Sequence, residues 1–406
     1  MQKLNTKIDS WFIDMPKETD KIQVSVIFDS GYASEEMGKE GITHLLEHYI
    51  VGLLDDCLKK EVYLNGWTSN EYLELYLETS KKNLDKHISK FLDILSSPNF
   101  DREDILNRER IALVNEIQSK VNSGSTRAFW SNTELLLGKD SPYTRSYEDE
   151  TKNAREANLK ILEKSFNEIK ARKIRLVIGG HGLNEEELLL IVKAINKRFS
   201  ESEEELKYED CKLTSKEISQ REIDNIKGSY VEFIFPGISS SEDIKNKICL
   251  NKVCRLFVDM QYGPIFEKLR NEGIYGLDYS ASFYKEFGLI GFDSHVPKSS
   301  ANSLIRIFRE TLEEYLKEGV SEETLSEDKQ KIREANRDRW DSNSDRYEWA
   351  VDDIRSSGRI YTPEDIEDIV KEITPEYLSQ IAKEYLNLDK LRILISGEIV
   401  PESDLK

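Results

Sequence analysis

The residues best suited to chemistry form the run His44-Leu45-Leu46-Glu47-His48, which contains two of the five histidines in the chain. On a helix with about 100° per residue, His44, Glu47 and His48 share one sector, and the neighbouring apolar residues occupy the opposite side. Two imidazoles four residues apart can bind one tetrahedral Zn²⁺, and a Glu on the same face can act as general base. The run therefore predicts a zinc site whose histidines lie off the apolar face of their helix.

A zinc site of this kind needs a third protein ligand, and the helical pattern over 102–121 offers two candidates. Glu109 and Glu116 are about two turns apart on a face that also carries apolar residues, where a carboxylate needs a counter-charge. We predict that Glu116 is the ligand and that Glu109 is a neighbouring carboxylate that supports the charge and orientation of the site. The alternative is an ordinary helical ion pair with a nearby cation: Arg108, Arg110 or Lys120.

The elements that must position these residues form an α+β pattern. Apolar runs and alternation predict strands at 22–28, 71–77, 174–178, 230–235 and 391–395. Amphipathic helices are predicted between these strands.

Two of these strand patterns recur in the second half of the chain. Val24–Phe28 resembles Val231–Phe235 at an offset of 207, and Arg175–Gly180 resembles Arg392–Gly397 at an offset of 217. We interpret this as a duplicated α+β unit, the alternative being a chance likeness of short apolar strands. The predicted domains are a zinc-binding catalytic half (1–199), an acidic linker (200–228) and a degenerate second half without zinc ligands (229–406).

Composition excludes some functions. The chain has 58 Lys and Arg against 77 Asp and Glu, a net charge of −19, which argues against a nucleic-acid partner. No apolar run approaches the roughly 20 residues needed to span a membrane, and we expect no membrane partner. The N-terminus shows no signal-peptide pattern, and the four cysteines form no disulfide framework, so we expect a cytoplasmic protein.

The sequence resembles the insulinase family of zinc peptidases, which includes pitrilysin and the mitochondrial processing peptidase. The resemblance rests on 28–31, 41–48, 65–69, 99–100 and 109–117. That family places its third zinc ligand at the second Glu of an E-x₆-E pair, 70 to 80 residues beyond the first histidine, and here 116 − 44 = 72. The resemblance thus implies one Zn²⁺ held by His44, His48 and Glu116, with Glu47 as general base.

The resemblance also implies the architecture and the substrate. Family members of this length consist of two similar α/β-sandwich halves, which enclose a cavity together with a second chain. The peptide substrate pairs with the edge of a strand, here the segment Trp67–Thr79, so that Trp67, Thr68 and Ser69 are candidate substrate-binding residues. The alternative is an ordinary sheet strand.

Complete sites of the family carry an Arg and, seven residues later, a Tyr that contacts the substrate. Here Leu277 stands seven residues after Arg270, and Tyr275 or Tyr279 would have to replace the missing Tyr. This departure resembles the zinc-bearing subunits of bacterial two-chain members, and favours a heterodimer over a homodimer.

The sequence therefore indicates a cytoplasmic zinc endopeptidase for short or unfolded peptides, with leader-peptide removal during maturation of a ribosomally made peptide natural product as its role. One alternative is a non-catalytic scaffold or peptide-binding subunit of a two-chain complex. Another is an unrelated metal hydrolase that uses the same helix. The remaining histidines, His87, His181 and His295, are expected at the surface or in turns.

Overall fold

The computed structural model describes residues 1–58, 61–201, 206–208, 211–260 and 263–401. The strands are β1 (Gln2–Lys3), β2 (Asp9–Asp14), β3 (Lys21–Phe28), β4 (Tyr63–Thr68), β5 (Leu73–Ser80), β6 (Ile174–Gly180), β7 (Ile218–Glu222), β8 (Ser229–Gly237), β9 (Asp278–Phe283), β10 (Gly288–Val296) and β11 (Arg392–Gly397). The helices are α1 (Ile42–Leu58), α2 (Leu84–Ser96), α3 (Glu103–Asn122), α4 (Gly124–Leu137), α5 (Tyr147–Glu156), α6 (Leu159–Lys170), α7 (Glu185–Arg198), α8 (Ile244–Val258), α9 (Pro264–Asn271), α10 (Lys298–Glu318), α11 (Glu322–Trp340), α12 (Asn343–Ser357), α13 (Pro363–Lys371) and α14 (Pro375–Tyr385). Two sheets packed with helices confirm the predicted α+β class.

The two sheets have the same strand order. The first sheet runs β1-β2-β6-β3-β5-β4, and the second runs β7-β11-β8-β10-β9. Each sheet contains one parallel pair, β2 with β6 and β7 with β11, and the central strands pair antiparallel. Apart from β1, the second sheet repeats the first strand for strand.

The pairing register repeats as well. Val24 pairs with Ile178 in the first sheet, and Val231 pairs with Ile395 in the second. The separations are 231 − 24 = 207 and 395 − 178 = 217, the same two offsets that relate the matching sequence segments. Because register decides which side chains face a core, the short sequence matches reflect a repeated unit rather than chance.

The chain divides into two compact units, and each unit is discontinuous in sequence. The first comprises Met1–Ser119, Arg145–Tyr208 and Arg337–Ile360, and the second comprises Lys120–Thr144, Glu209–Asn336 and Tyr361–Lys406. Helix α4 of the first half thus belongs to the second unit, and α12 of the second half belongs to the first. No sequence pattern predicted this exchange.

The predicted domain boundaries stay predictions. Residues 202–205 and 209–210 of the predicted acidic linker lie outside the described residues, and its later part contains β7.

In the first unit, β5 presents a different set of side chains to each face of the sheet. Leu73, Leu75 and Leu77 are fully buried on the side where α1 and α2 pack. The alternate residues point to the other side, where the Tyr76 ring lies 6.1 Å from that of Tyr347 on α12. The strict alternation fixes the register of the sheet, and α1 is held against one face of it.

The second unit has a separate core, and its helix after the first central strand lacks the His-x-x-Glu-His pattern of α1. Helix α8 follows β8 as α1 follows β3, and it contains no His, Asp or Glu. Two cations of this helix, the buried Lys252 and the partly exposed Arg255, form ion pairs with Asp328 on α11. Among the residues that the structure describes, no helix combines the length and the apolar character needed to cross a bilayer.

Candidate metal centre

The candidate metal centre is built on α1, whose first turn is fixed by a carboxylate from outside the helix. Glu35 accepts hydrogen bonds from the backbone N–H groups of Gly41 (2.7 Å) and Thr43 (2.6 Å). Burial raises the pKa of Glu35 to about 7, although these two hydrogen bonds favour its ionised form. Gly41 itself has a φ of +83°, a backbone conformation that favours glycine. The entry into the helix is therefore closely specified.

His44, Glu47 and His48 come together on one face of α1. Their ligand atoms all lie within 4.8 Å of one another, and they are the one such group of three found among the described residues. His44 and Glu47 are buried and His48 is mostly buried, so the polar face of α1 is covered as well as the apolar one. The site is thus a recess in which charges are partly removed from water.

Helix α3 brings both predicted carboxylates to these histidines. The Nε2 atom of His44 lies 3.7 Å from Oε1 of Glu116, and the Nε2 atom of His48 lies 3.4 Å from Oε2 of the same carboxylate. Glu109 lies on the other side of His48, with its Oε2 atom 3.8 Å from Nδ1. Glu109 also accepts a hydrogen bond from Arg108, which is the alternative ion pair, and its supporting role at the metal centre stays a prediction.

These distances suit a zinc ion. Zn²⁺ in tetrahedral coordination, with bonds of about 2.0–2.1 Å to nitrogen and oxygen, separates its ligand atoms by about 3.3–3.4 Å. The contacts of Glu116 to the two imidazoles, 3.7 and 3.4 Å, are close to that separation. Two Nε2 atoms and one carboxylate oxygen are also a usual donor set for a catalytic zinc. His44, His48 and Glu116 therefore fit Zn²⁺.

A fourth carboxylate, Glu150 at the start of α5, was missed by the sequence reasoning. Its Oε1 atom lies 2.9 Å from Nδ1 of His44, and its Oε2 atom accepts a 2.7 Å hydrogen bond from Arg145. Burial opposes the ionisation of Glu150, but the contacts with His44 and Arg145 outweigh it and lower the pKa. Glu150 stands among three acidic residues in the first turn of α5, and nothing in their spacing distinguishes it.

His48, like His44, is flanked by two carboxylates. Burial opposes a charge on its ring, but the contacts with the carboxylates of Glu109 and Glu116 outweigh burial and raise the pKa of His48 to about 9. Carboxylates that stabilise a proton at these nitrogens would also stabilise a divalent cation.

Glu47, the predicted general base, contacts the edge strand β4. Thr68 donates a 2.6 Å hydrogen bond to Oε2 of Glu47. A Cβ atom at Gly66 would lie only 2.5 Å from Cγ of Glu47, so the backbone of β4 passes close above this side chain. The strand and the carboxylate are therefore held in direct contact.

The position of β4 corrects one expectation. The predicted substrate strand ran from Trp67 to Thr79, but β5 within that segment is paired on both sides, with β3 and with β4. Among the described strands, β4 lies at the edge of the sheet next to β5, and it carries Trp67 with 62% of its surface exposed. Ser69 lies in the turn after β4, where its hydroxyl accepts hydrogen bonds from Glu71 and Tyr72.

The predicted Arg and Tyr residues lie in the second unit. Arg270 is exposed at the end of α9, Tyr275 is 79% exposed before β9, and Tyr279 on β9 packs against the core of that unit. Their participation in the metal centre stays a prediction.

The other histidines are not all at the surface. His87 was expected there, but it is fully buried between Thr79 (2.5 Å from Nδ1) and Glu61 (3.0 Å from Nε2). Its helix α2 packs on the sheet, and the two polar partners compensate the burial of the ring. His181 and His295 each contact a backbone carbonyl.

Comparison with known proteins supports the insulinase (M16) family. The family model of the peptidase M16 inactive domain matches residues 155–332. A curated relative, zinc protease PqqE of Helicobacter pylori, is 29% identical over 108 residues, and the match covers 24% of this chain and 24% of that protein. The similarity therefore spans about a quarter of the relative's length.

Solved structures show the same fold over nearly the whole chain. A protease from Helicobacter pylori aligns with a TM-score of 0.82 at 17% identity and 98% coverage of both chains. A peptidase M16 inactive domain from Pseudomonas fluorescens aligns with a TM-score of 0.81 at 15% identity, again over 98% of both chains.

Proposed function

We propose that this chain is a zinc metalloendopeptidase that hydrolyses short or unfolded peptides. The observation that carries the proposal is the convergence of both histidine Nε2 atoms on the Glu116 carboxylate, with Glu47 beside them. Two imidazoles and one carboxylate leave a fourth position for water or substrate, as catalytic rather than structural zinc sites require.

When bound, Zn²⁺ supplies a Lewis acid that polarises the scissile carbonyl and makes water a better nucleophile. Glu47 takes a proton from the attacking water as the bond from its oxygen to the carbonyl carbon forms. Glu47 then gives this proton to the leaving nitrogen as the C–N bond breaks. The hydroxyl of Thr68 donates a hydrogen bond to one oxygen of Glu47, so the other oxygen accepts and then donates the proton.

The free edge of β4 supports a peptide as the substrate. An edge strand offers unpaired backbone N–H and C=O groups, with which an extended peptide can form an additional strand. Since Thr68 of this strand contacts Glu47, a peptide paired with β4 would carry its backbone past the general base. Only flexible segments can adopt the extended conformation that this pairing needs, which favours short or unfolded peptides.

A second chain would complete the enzyme. The position seven residues after Arg270 is the buried Leu277 and not a tyrosine, so a heterodimeric partner that supplies an Arg and a Tyr is part of the proposal, with a homodimer as the other arrangement. The four cysteines, all within the described residues, form no disulfide, which is consistent with a reducing, cytoplasmic compartment. Cell fractionation with compartment markers tests that location.

For the biological role, we propose leader-peptide removal from a ribosomally made peptide natural product. The substrate to test is any precursor peptide whose gene lies beside the gene for this chain. A precursor that stays uncut in the presence of this chain and its partner chain would contradict this role.

The alternative function is a non-catalytic scaffold or peptide-binding subunit, which the match to an inactive-domain family favours. That match begins at residue 155, and His44, Glu47, His48 and Glu116 all precede it. The family description therefore concerns a part of the chain without the metal centre.

Elemental analysis of the purified chain and cleavage of a mixed peptide library, with and without a candidate partner, separate the two functions. One zinc per chain and cleavage that a chelator abolishes support the peptidase. No zinc and no cleavage in either preparation would establish the scaffold.

A further inference from the structure

The side chain of Glu150, on α5, packs against the start of α1, the helix that carries His44 and His48. It is 1% exposed, and its Cγ atom would lie 2.2 Å from a Cβ atom at position 41, so only the absence of a side chain at Gly41 lets it reach His44. Both of its oxygens are used, one by Nδ1 of His44 at 2.9 Å and the other by Arg145 at 2.7 Å.

Arg145 is itself held by aromatic rings. Its guanidinium carbon lies 3.6 Å from the ring centroid of Tyr32 and 5.0 Å from that of Tyr147. Tyr32 also meets the ring of His44 at an angle of 83°, with the centroids 5.8 Å apart. The imidazole is therefore held through a hydrogen bond on one side and a ring contact on another.

The ligand role of His44 demands a particular tautomer. Its Nε2 atom faces Glu116, so metal binding there requires a neutral ring with its proton on Nδ1. A carboxylate at Nδ1 accepts a hydrogen bond from that proton and stabilises this tautomer against the other. Arg145 compensates the charge of the buried Glu150, because an unpaired carboxylate would be costly there.

We propose that Glu150, supported by Arg145, is a positioning residue that fixes the tautomer and the orientation of His44 for zinc binding. This inference rests on the proposed function, since it assigns Glu150 a role at the same centre. Glu150 acts through His44 and touches neither the metal nor the substrate. Its contact is shorter than that of Glu109 with His48 (2.9 against 3.8 Å), so Glu150 should contribute more to zinc affinity than Glu109.

The test is the zinc dissociation constant of the full chain, measured by competition with a chromophoric chelator. Glu150→Gln keeps the shape of the side chain, but its amide cannot accept from both Arg145 and His44. We expect 10- to 100-fold weaker zinc binding for this variant, and a smaller loss for Glu109→Gln. Glu61→Gln is the matched control, because Glu61 lies 3.0 Å from the imidazole of His87 and should leave zinc affinity unchanged.

A second readout reports the tautomer directly. In protein labelled with ¹⁵N-histidine, the imidazole nitrogen shifts should show the His44 proton on Nδ1 in the wild type and a mixture of tautomers in Glu150→Gln. A purely structural role would lower the melting temperature without moving these shifts. If Glu150→Gln does not fold, Arg145→Lys replaces it, with an expected loss of zinc affinity of several-fold.

Wild-type zinc affinity in the folded variant, within twofold, would overturn the inference while leaving the peptidase proposal intact. A wild-type chain that binds no zinc would overturn the proposed function first, and the inference with it.

Discussion

The contact between Thr68 and Glu47 provides a sharp test of the catalytic assignment. The Thr68 hydroxyl donates to Glu47 over 2.6 Å, a short distance typical of a hydrogen bond to a charged group. Thr68→Val replaces this hydroxyl by a methyl group of similar size, so the packing of β4 should persist. A hydrogen bond to a charged group contributes about 1.5–3 kcal/mol, which corresponds to a factor of about 10 to 100 in rate if it positions the base in the transition state.

We therefore expect Thr68→Val to lower kcat by about 10- to 100-fold at one zinc per chain. Cleavage of a fluorogenic peptide in the presence of the partner chain gives kcat, and elemental analysis gives the zinc content. Thr68→Ser retains the hydroxyl and should keep kcat within about threefold of the wild type. A Thr68→Val enzyme with wild-type kcat would refute the view that β4 positions Glu47.

Three further outcomes follow from other side chains. The pKa of Glu35 in the folded chain, about 7, lies above its ordinary value of 4.5, so its contribution to stability is present at low pH and is lost as the pH rises through 7. Glu35→Gln should remove this pH dependence. The free energy of unfolding of the variant minus that of the wild type, measured by urea titration, should therefore increase by about 3 kcal/mol from pH 4 to pH 8. The same pH dependence in both proteins would contradict this. Because the pKa of His48 is about 9, zinc binding at pH 7 should release about one proton. Calorimetry in buffers of different ionisation enthalpy measures this number. Zinc binding without proton release would contradict the raised pKa of His48. Trp67→Ala should raise KM about tenfold at constant kcat and zinc content, as expected for a lost ring contact of about 1.5 kcal/mol, whereas the exposed Leu189→Ala control should not; an unchanged KM would argue against substrate pairing at β4.

The grouping of side chains at the candidate metal centre was largely predictable, because the information for it is local or comes from the family resemblance. His44, Glu47 and His48 share a helical face through spacing alone, and helix geometry places Glu109 two turns from Glu116. The resemblance then selected Glu116, and α3 does bring it to both histidines. The repeated strands were predictable for a related reason, because buried strands keep their apolar sequence wherever the pairing register repeats.

What escaped prediction depends on contacts between distant segments. Glu150 lies 106 residues after His44, and only the folded chain shows which of the acidic residues around it turns inward. The edge strand β4 was not predicted, because the sequence of Tyr63–Thr68 alternates too weakly in hydropathy to be recognised as a strand. The edge was therefore assigned to the segment that contains β5, although β4 lies outside β5 in the sheet. His87 looked like a surface residue, since its burial depends on Thr79 and Glu61 from other elements.

The exchange of α4 and α12 between the units was equally hidden from the sequence. An amphipathic helix reveals that one of its faces is buried, but not which sheet covers that face. The helix pattern was therefore compatible with two contiguous halves as well as with the discontinuous units of the fold.

The most direct test of the central claim compares zinc content and peptide turnover in Glu47→Gln and wild type, each assayed with the partner chain. Glu47 is the proposed base and not a ligand, so the variant should keep one zinc per chain and lose at least about 100-fold in kcat. A Glu47→Gln chain that cleaves peptides at the wild-type rate would contradict the account.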